Sequence, residues 1–155
     1  MKKRMKSIIA ILIMAVMCFS GCGKEPAVQD VPQTGYDVQA VLDEAETAAS
    51  AIEKSLMEDA SLTQMDMNDL SLELYQTWDG VLNDIWSELK VTLDEETMDD
   101  LLQEQREWIA EKETAAKQAG DEFAGGSMAP LAANQKAAEL TRERVYELAP
   151  YLDAE

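Results

Sequence analysis

An all-α fold, an antiparallel bundle of about four helices behind a leader and a short tether, is what this sequence predicts. Three observations carry that expectation. Apolar residues recur at three- and four-residue steps in four successive stretches from Val38 onward, the spacing that gathers side chains on one face of a helix. Helix breakers and cap-forming residues fall between those stretches. No stretch alternates apolar and polar residues as a half-buried strand would, and no internal repeat is visible. Short connections between such helices favour antiparallel neighbours.

The leader comes first. Lys2, Lys3, Arg4 and Lys6 crowd the start, and an almost wholly apolar run follows from Ser7 to Ser20. That run is 14 residues long, whereas a membrane-spanning helix needs about 20. A charged start, a short apolar region and small residues before a cut describe a signal peptide over residues 1–21. Phe19-Ser20-Gly21-Cys22 resembles the lipobox of bacterial lipoproteins, with Phe19 where leucine is usual. The resemblance implies a diacylglycerol thioether on Cys22 and cleavage before it. It also implies more than one acyl chain, because a single chain holds a protein to a membrane only marginally. The competing reading is an ordinary secretory signal with Cys22 as an incidental thiol. Residues 22–37 then read as the lipidated cysteine and a tether, polar and broken by Pro26 and Pro32.

The helical domain is expected over 38–155. In the first helix, Val38, Val41, Leu42, Ala45, Ala49, Ile52 and Leu56 form a stripe that should run to about Asp59. A second helix should start near Thr63, with Asp66 at nearly capping-box spacing. Its stripe (Met67, Leu70, Leu74, Trp78, Val81, Leu82, Ile85, Leu89) is the clearest helical period in the chain. Gly80 interrupts it at about 1 kcal/mol relative to alanine. A third helix is expected from a Thr92/Glu95 capping box, with Met98, Leu101, Leu102, Trp108, Ile109, Ala115 and Ala116 inward and Gly120 as its C-terminal cap. Asp121 to Pro130 should be a loop. A fourth helix, carrying Leu131, Ala138, Thr141, Val145 and Leu148 on one face, should end near Leu148 ahead of Pro150. Trp78 and Trp108 are expected in the core, and Trp86 facing outward or covering a neighbour.

Charge and missing side chains bound the chemistry. Thirteen basic residues stand against 31 acidic ones, a net −18. Loss of residues 1–21 removes four of the basic residues and no acid, leaving −22. Such acidity argues against nucleic acid and anionic lipid headgroups as partners. It suits either a basic protein partner or simply solvated helix faces. The chain has no histidine, the commonest general base and zinc ligand. Cys18 leaves with the leader and Cys22 is committed to lipid, so no disulfide or thiolate nucleophile is expected. Ser127 lacks the elbow and base that a nucleophilic serine needs. The dense acids from Asp94 to Asp100 are explained by a helix start. No enzyme, metal site or cofactor is expected.

Several short pieces fall in a characteristic order: Thr63-Gln64 with Met67-Asn68, then Leu82-Asn83, Leu89 with Leu93-Asp94, and Gln105-Arg106-Glu107-Trp108-Ile109. After them come Gly125-Gly126-Ser127-Met128-Ala129-Pro130 and Leu140-Thr141-Arg142-Glu143-Arg144. Over 63–148 this resembles the LprI-like family, the N-terminal domain of a lysozyme inhibitor of the bacterial envelope. The resemblance implies a lipid-anchored binding module on the extracytoplasmic side of the cell membrane that inhibits lysozyme by binding it. It singles out Asn83, Gln105, Trp108, Ser127 and Arg144. Members commonly carry cysteines where Leu70 and Ala116 stand and near Lys136, so the family's disulfide clamps cannot form here. Lys112 replaces a usual arginine, keeping the charge without the planar fork.

The residues themselves allow a structural role beside the implied one. Gln105 falls in the apolar stripe of the third helix, where a buried amide needs partners, and Asn83 and Arg144 are candidates by type. Such a network would fix helix register rather than bind a ligand. The alternative function is a structural or scaffolding lipoprotein. Its first helix, outside the best-matching stretch, would then engage another envelope protein.

Overall fold

The computed structural model describes residues 35–152. The leader, Cys22 and the tether as far as Thr34 lie outside the described residues. Four α-helices and a closing 3-10 turn follow one another: α1 Val38–Glu58, α2 Gln64–Thr92, α3 Glu95–Asp121, α4 Ala129–Leu148, and the turn Ala149–Tyr151. No strand occurs among the described residues, and the fold is an all-α bundle.

Capping residues set the helix boundaries. Asp37 opens α1 by accepting from the Ala40 amide at 3.0 Å. At α2 the box is reciprocal: the Thr63 amide donates to Asp66 Oδ2 at 2.8 Å, and the Asp66 amide to the Thr63 hydroxyl at 3.2 Å. The start of α3 corrects the sequence expectation. Asp94 is the N-cap, accepting from the Thr97 amide at 3.0 Å. Thr92 instead ends α2, its hydroxyl bonded back to the Glu88 carbonyl at 3.0 Å. A carboxylate directly before the Glu95–Glu96 turn serves the exposed amides better than a threonine already satisfied by its own helix. No side chain caps α4, which has Pro130 in its first turn.

Gly120 is a second correction. It lies buried inside α3, and Glu122 is the C-cap. A Cβ at Gly120 would sit 3.3 Å from both the Ala129 carbonyl oxygen and the Ala133 Cβ. Its absence lets α3 and α4 approach where they meet. The turn between them uses Gly125 at φ 79°, a left-handed conformation that glycine adopts without steric cost.

Topology follows from which residues meet. Asn134 of α4 lies beside Ser71 of α2, and Arg142 and Tyr146 beside Trp78, so α2 and α4 run in the same sense. Gln105 of α3 meets Arg144, while Gly120 meets Ala129 and Ala133, so α3 runs opposite to α4. Leu56 near the end of α1 lies by Leu74, and Tyr36 just before α1 lies near Asp84 and Glu88, so α1 runs opposite to α2 and chain neighbours are antiparallel. The largest interface joins α2 to α4, with α3 lying on α4 and α1 on α2.

The core collects the predicted stripes. Val38, Leu42, Ala45, Ala49 and Ile52 of α1 pack with Leu74, Trp78, Val81, Leu82, Ile85 and Leu89 of α2. Leu101, Ala138, Val145, Leu148 and Ala149 complete it. Burying side chains of this size stabilises by about 1.5–3 kcal/mol each. Leu70, where a cysteine was noted as usual, packs half-buried against this core. Trp86 is half-buried over it too. Ile109 departs from expectation: it is 39% exposed. The inward face of α3 passes instead through Leu101, Gln105 and Lys112. Gln105 and Lys112 are polar, so an apolar stripe drawn through α3 turns slightly off the buried side.

Candidate functional site

Over α2, residues of α1 and α4 line a groove of about 790 Å³. Its floor is Leu74 and the buried ring of Trp78, with Leu56 on the α1 wall and Ala138 on the α4 wall. The rim is acidic. Glu53 stands on the α1 side, while Glu139, Glu143 and Glu147 follow one another at four-residue steps along α4 and so share one face of it. Met57, 78% exposed, sits at the α1 end.

A polar clamp ties α1 to α4 beside the groove. Arg142 reaches Glu46 with its Nε at 3.0 Å from Oε1 and its Nη2 at 2.8 Å from Oε2, the two-pronged geometry that suits guanidinium and carboxylate. The Tyr146 hydroxyl donates to the same carboxylate at 2.6 Å. The Arg142 guanidinium also lies 5.3 Å from the Trp78 ring centroid. Burial and the hydrogen bond and charge of Glu46 push the Tyr146 phenol above its ordinary value. Burial works against the charge of Arg142, yet the bond to Glu46 and its charge more than compensate, so the guanidinium pKa is raised.

Three further polar contacts lie between helices. Arg144 donates from Nε to Gln105 Oε1 at 3.0 Å and from Nη1 to Glu147 at 2.9 Å. Its Nη2 makes no hydrogen bond and meets Glu104 at 3.7 Å. Where α2 and α4 begin, Asn134 donates to the buried Ser71 hydroxyl at 3.1 Å, and that hydroxyl donates to the Asn68 carbonyl at 2.7 Å. Lys112 lies buried between two rings, 5.1 Å from the Tyr75 centroid and 4.9 Å from that of Trp108, and donates to the Tyr75 hydroxyl at 3.1 Å. The Asp79 carboxylate lies 4.0 Å from the same ammonium, which is thus held by ring faces and a nearby charge rather than by a fork of bonds.

The motif residues do not converge on one place. Gln105 and Arg144 pair, as the buried amide requires. Asn83 does not join them: it is exposed and donates to the Asp79 carbonyl at 2.8 Å within its own helix. Its position on the outer side of α2 rules out contact with a pair lodged between α3 and α4. Trp108 is half-buried and serves as the platform for Lys112. Ser127 is exposed, and its contribution is a backbone carbonyl that accepts from Asn68 at 3.1 Å. Cys22 lies outside the described residues. Among those residues no group of acidic, histidine or cysteine side chains is arranged to hold a metal, and no helix is long and apolar enough to cross a membrane.

Sequence reasoning missed the groove, the Glu46 clamp and the Ser71–Asn134 bond. A weak signal for the clamp was present: Arg142 stands one position from the buried Thr141, so it must lie at the edge of the α4 stripe.

The family model for Lysozyme inhibitor LprI matches residues 57–148 of the chain, well over half of it. The chain belongs to the LprI family. No curated protein and no solved structure matches it. The LprI match takes in the end of α1 and the whole of α2, α3 and α4. It contains the Gln105–Arg144 pair, the Lys112 cage and the α4 side of the groove. Val38 to Leu56 of α1, with Glu46 and Glu53, fall outside it. The LprI family is one of inhibitors rather than enzymes by its name.

Proposed function

We propose that the protein is an envelope-anchored LprI module that inhibits lysozyme by binding it. Membership of the LprI family over 57–148 carries the reading. Charge supports it. Lysozymes of host defence are basic, and a net charge of −18 would speed the encounter through long-range attraction. The absence of histidine in the whole sequence leaves a binding role more natural than a catalytic one. Lipidation at Cys22 would hold the module at the extracytoplasmic face of the cell membrane, and the polar stretch to Asp37 would give it reach.

The test is a titration of a basic lysozyme with the purified protein at low and moderate ionic strength, read as complex formation and as residual muramidase activity. Saturable binding with loss of activity is expected. Absence of binding in both conditions would overturn the reading. Anchoring is tested separately: the protein should partition into detergent with its mass raised by acyl chains, and Cys22→Ala should abolish both properties. An unmodified thiol at Cys22 in the aqueous fraction would overturn the anchor alone.

One observation favours a second reading. The first helix, outside the LprI match except for its last two residues, packs on α2 and lines one side of the groove. A scaffolding lipoprotein would use that added helix against another envelope protein. A stoichiometric partner recovered from membranes, with lysozyme activity untouched, would support it.

A further inference from the structure

The groove between α1 and α4 has three properties that together describe an occupant. Its floor is apolar and aromatic, through Leu56, Leu74, Trp78 and Ala138. Its α4 wall, from Gln135 to Glu147, is about 18 Å long at 1.5 Å per residue, or roughly three helical turns. Its acids are spaced regularly. Glu139, Glu143 and Glu147 recur every four residues, about 6 Å apart along α4, and Glu53 faces them from α1.

The existing cations satisfy only part of this rim. Glu139 is bonded to Lys136 and Glu147 to Arg144, both from the sides of α4, and Arg142 is held by Glu46. Among the described residues neither Glu53 nor Glu143 has an ion-pair partner. The apolar surface left accessible in the groove, from Met57, Tyr146 and the half-buried Leu56, lies beside the unpaired Glu53 and Glu143 and suits a ligand that brings both apolar area and positive charge.

We propose that this groove binds a cationic amphipathic helix of a basic partner protein. Leucine-like side chains at i, i+3, i+4 and i+7 would lie against Leu56, Met57 and Tyr146, the groove's accessible apolar side chains above the buried Leu74 and Trp78, the ordinary mode of helix-in-groove recognition. Lysines or arginines at four-residue steps on the flanks of that helix share the 6 Å repeat of the α4 carboxylates and would pair with them in register. A second copy of this chain is disfavoured as occupant, because it would bring a net −18 against an acidic rim. Anionic lipid is disfavoured for the same reason. The inference goes beyond lysozyme inhibition and stands on the groove alone.

The test uses the full chain in mild detergent and a labelled synthetic peptide of about 14 residues, long enough for the groove. Leucines are placed on one face and lysines on its flanks. The peptide should bind, while a scrambled peptide of the same composition should bind at least about tenfold more weakly. Glu53→Lys with Glu143→Lys, two exposed or half-exposed positions that leave the core untouched, should weaken the patterned peptide by roughly tenfold. Helical content and melting temperature confirm that this variant folds. Part of the affinity should survive high salt, since the apolar floor does not depend on charge.

Equal binding of the scrambled peptide, or an unchanged affinity in the double reversal, would overturn the proposal. So would self-association of the chain that the same reversals abolish, which would make a second copy the occupant. Lysozyme binding that the double reversal leaves unaltered, together with no peptide binding, would sink the groove and spare the inhibitor reading. Peptide binding without lysozyme binding would do the opposite.

Discussion

Arg144 is 7% exposed and Gln105 8%, so their bond is sealed from water at the α3–α4 interface. A buried charged donor that loses its acceptor bears the full cost of desolvation, about 1–3 kcal/mol or more. Gln105→Ala should therefore destabilise the protein by that amount in chemical denaturation. In the Arg144→Met background the same change should cost far less, because no charge remains to be stranded. Additive losses in the double-mutant cycle would show that the two side chains act separately. The sequence already pointed to this pair: a glutamine in an apolar stripe must find a partner, and Arg144 was one of two candidates by residue type. It could not exclude Asn83, because the outward turn of Asn83 depends on the rotation of α2 against its neighbours. Lys112 was harder to read. A lysine between acids looks solvent-facing, and its burial is made tolerable by the rings of Tyr75 and Trp108, 37 and four residues away in sequence, together with the Asp79 carboxylate 4.0 Å off.

Two glycines distinguish the elements from one another. Gly80 is exposed inside α2, and a Cβ there would meet nothing within 4 Å. Gly80→Ala should raise stability by up to about 1 kcal/mol, through helix propensity alone. Gly120 looks equivalent in sequence, yet a Cβ there meets a backbone oxygen and a methyl group of α4, both at 3.3 Å. Gly120→Ala should lower stability by about 1 kcal/mol, since α3 must move off the start of α4 and the helix end gains little propensity. Thermal melts of the two variants should shift in opposite directions, and a shift of the same sign would refute the close-approach argument. Helix number, order and most boundaries were legible from periodicity and caps, because local physics decides them. What was not legible depends on inter-helix distance. Thr92 and Asp94 are both competent caps, and the choice turns on where α2 runs out. The groove is lined from three helices, α1, α2 and α4, a juxtaposition that no single stripe records.

At the scale of the molecule, excess negative charge acts on folding and on association with opposite sign. The whole chain carries −18, and −22 remains if residues 1–21 are removed. Seven ion pairs are recorded among the described residues, and several are exposed neighbours on one helix, such as Lys54–Glu58. Exposed pairs of this kind contribute at most about 1 kcal/mol each, too little to offset mutual repulsion among so many unpaired carboxylates. Folding gathers those charges into a smaller volume, so screening relieves the folded state more than the unfolded one. Added sodium chloride should raise the melting temperature steadily from low ionic strength to a few tenths molar, over which the Debye length falls from about 30 Å to below 8 Å. Association with a basic lysozyme should weaken over the same range, chiefly through a slower association rate. Stability and affinity would thus move apart in a single titration series. A melting temperature indifferent to salt would mean that the acids are already neutralised locally. An affinity indifferent to salt would mean that lysozyme, if bound, is held by apolar contact rather than drawn in by charge.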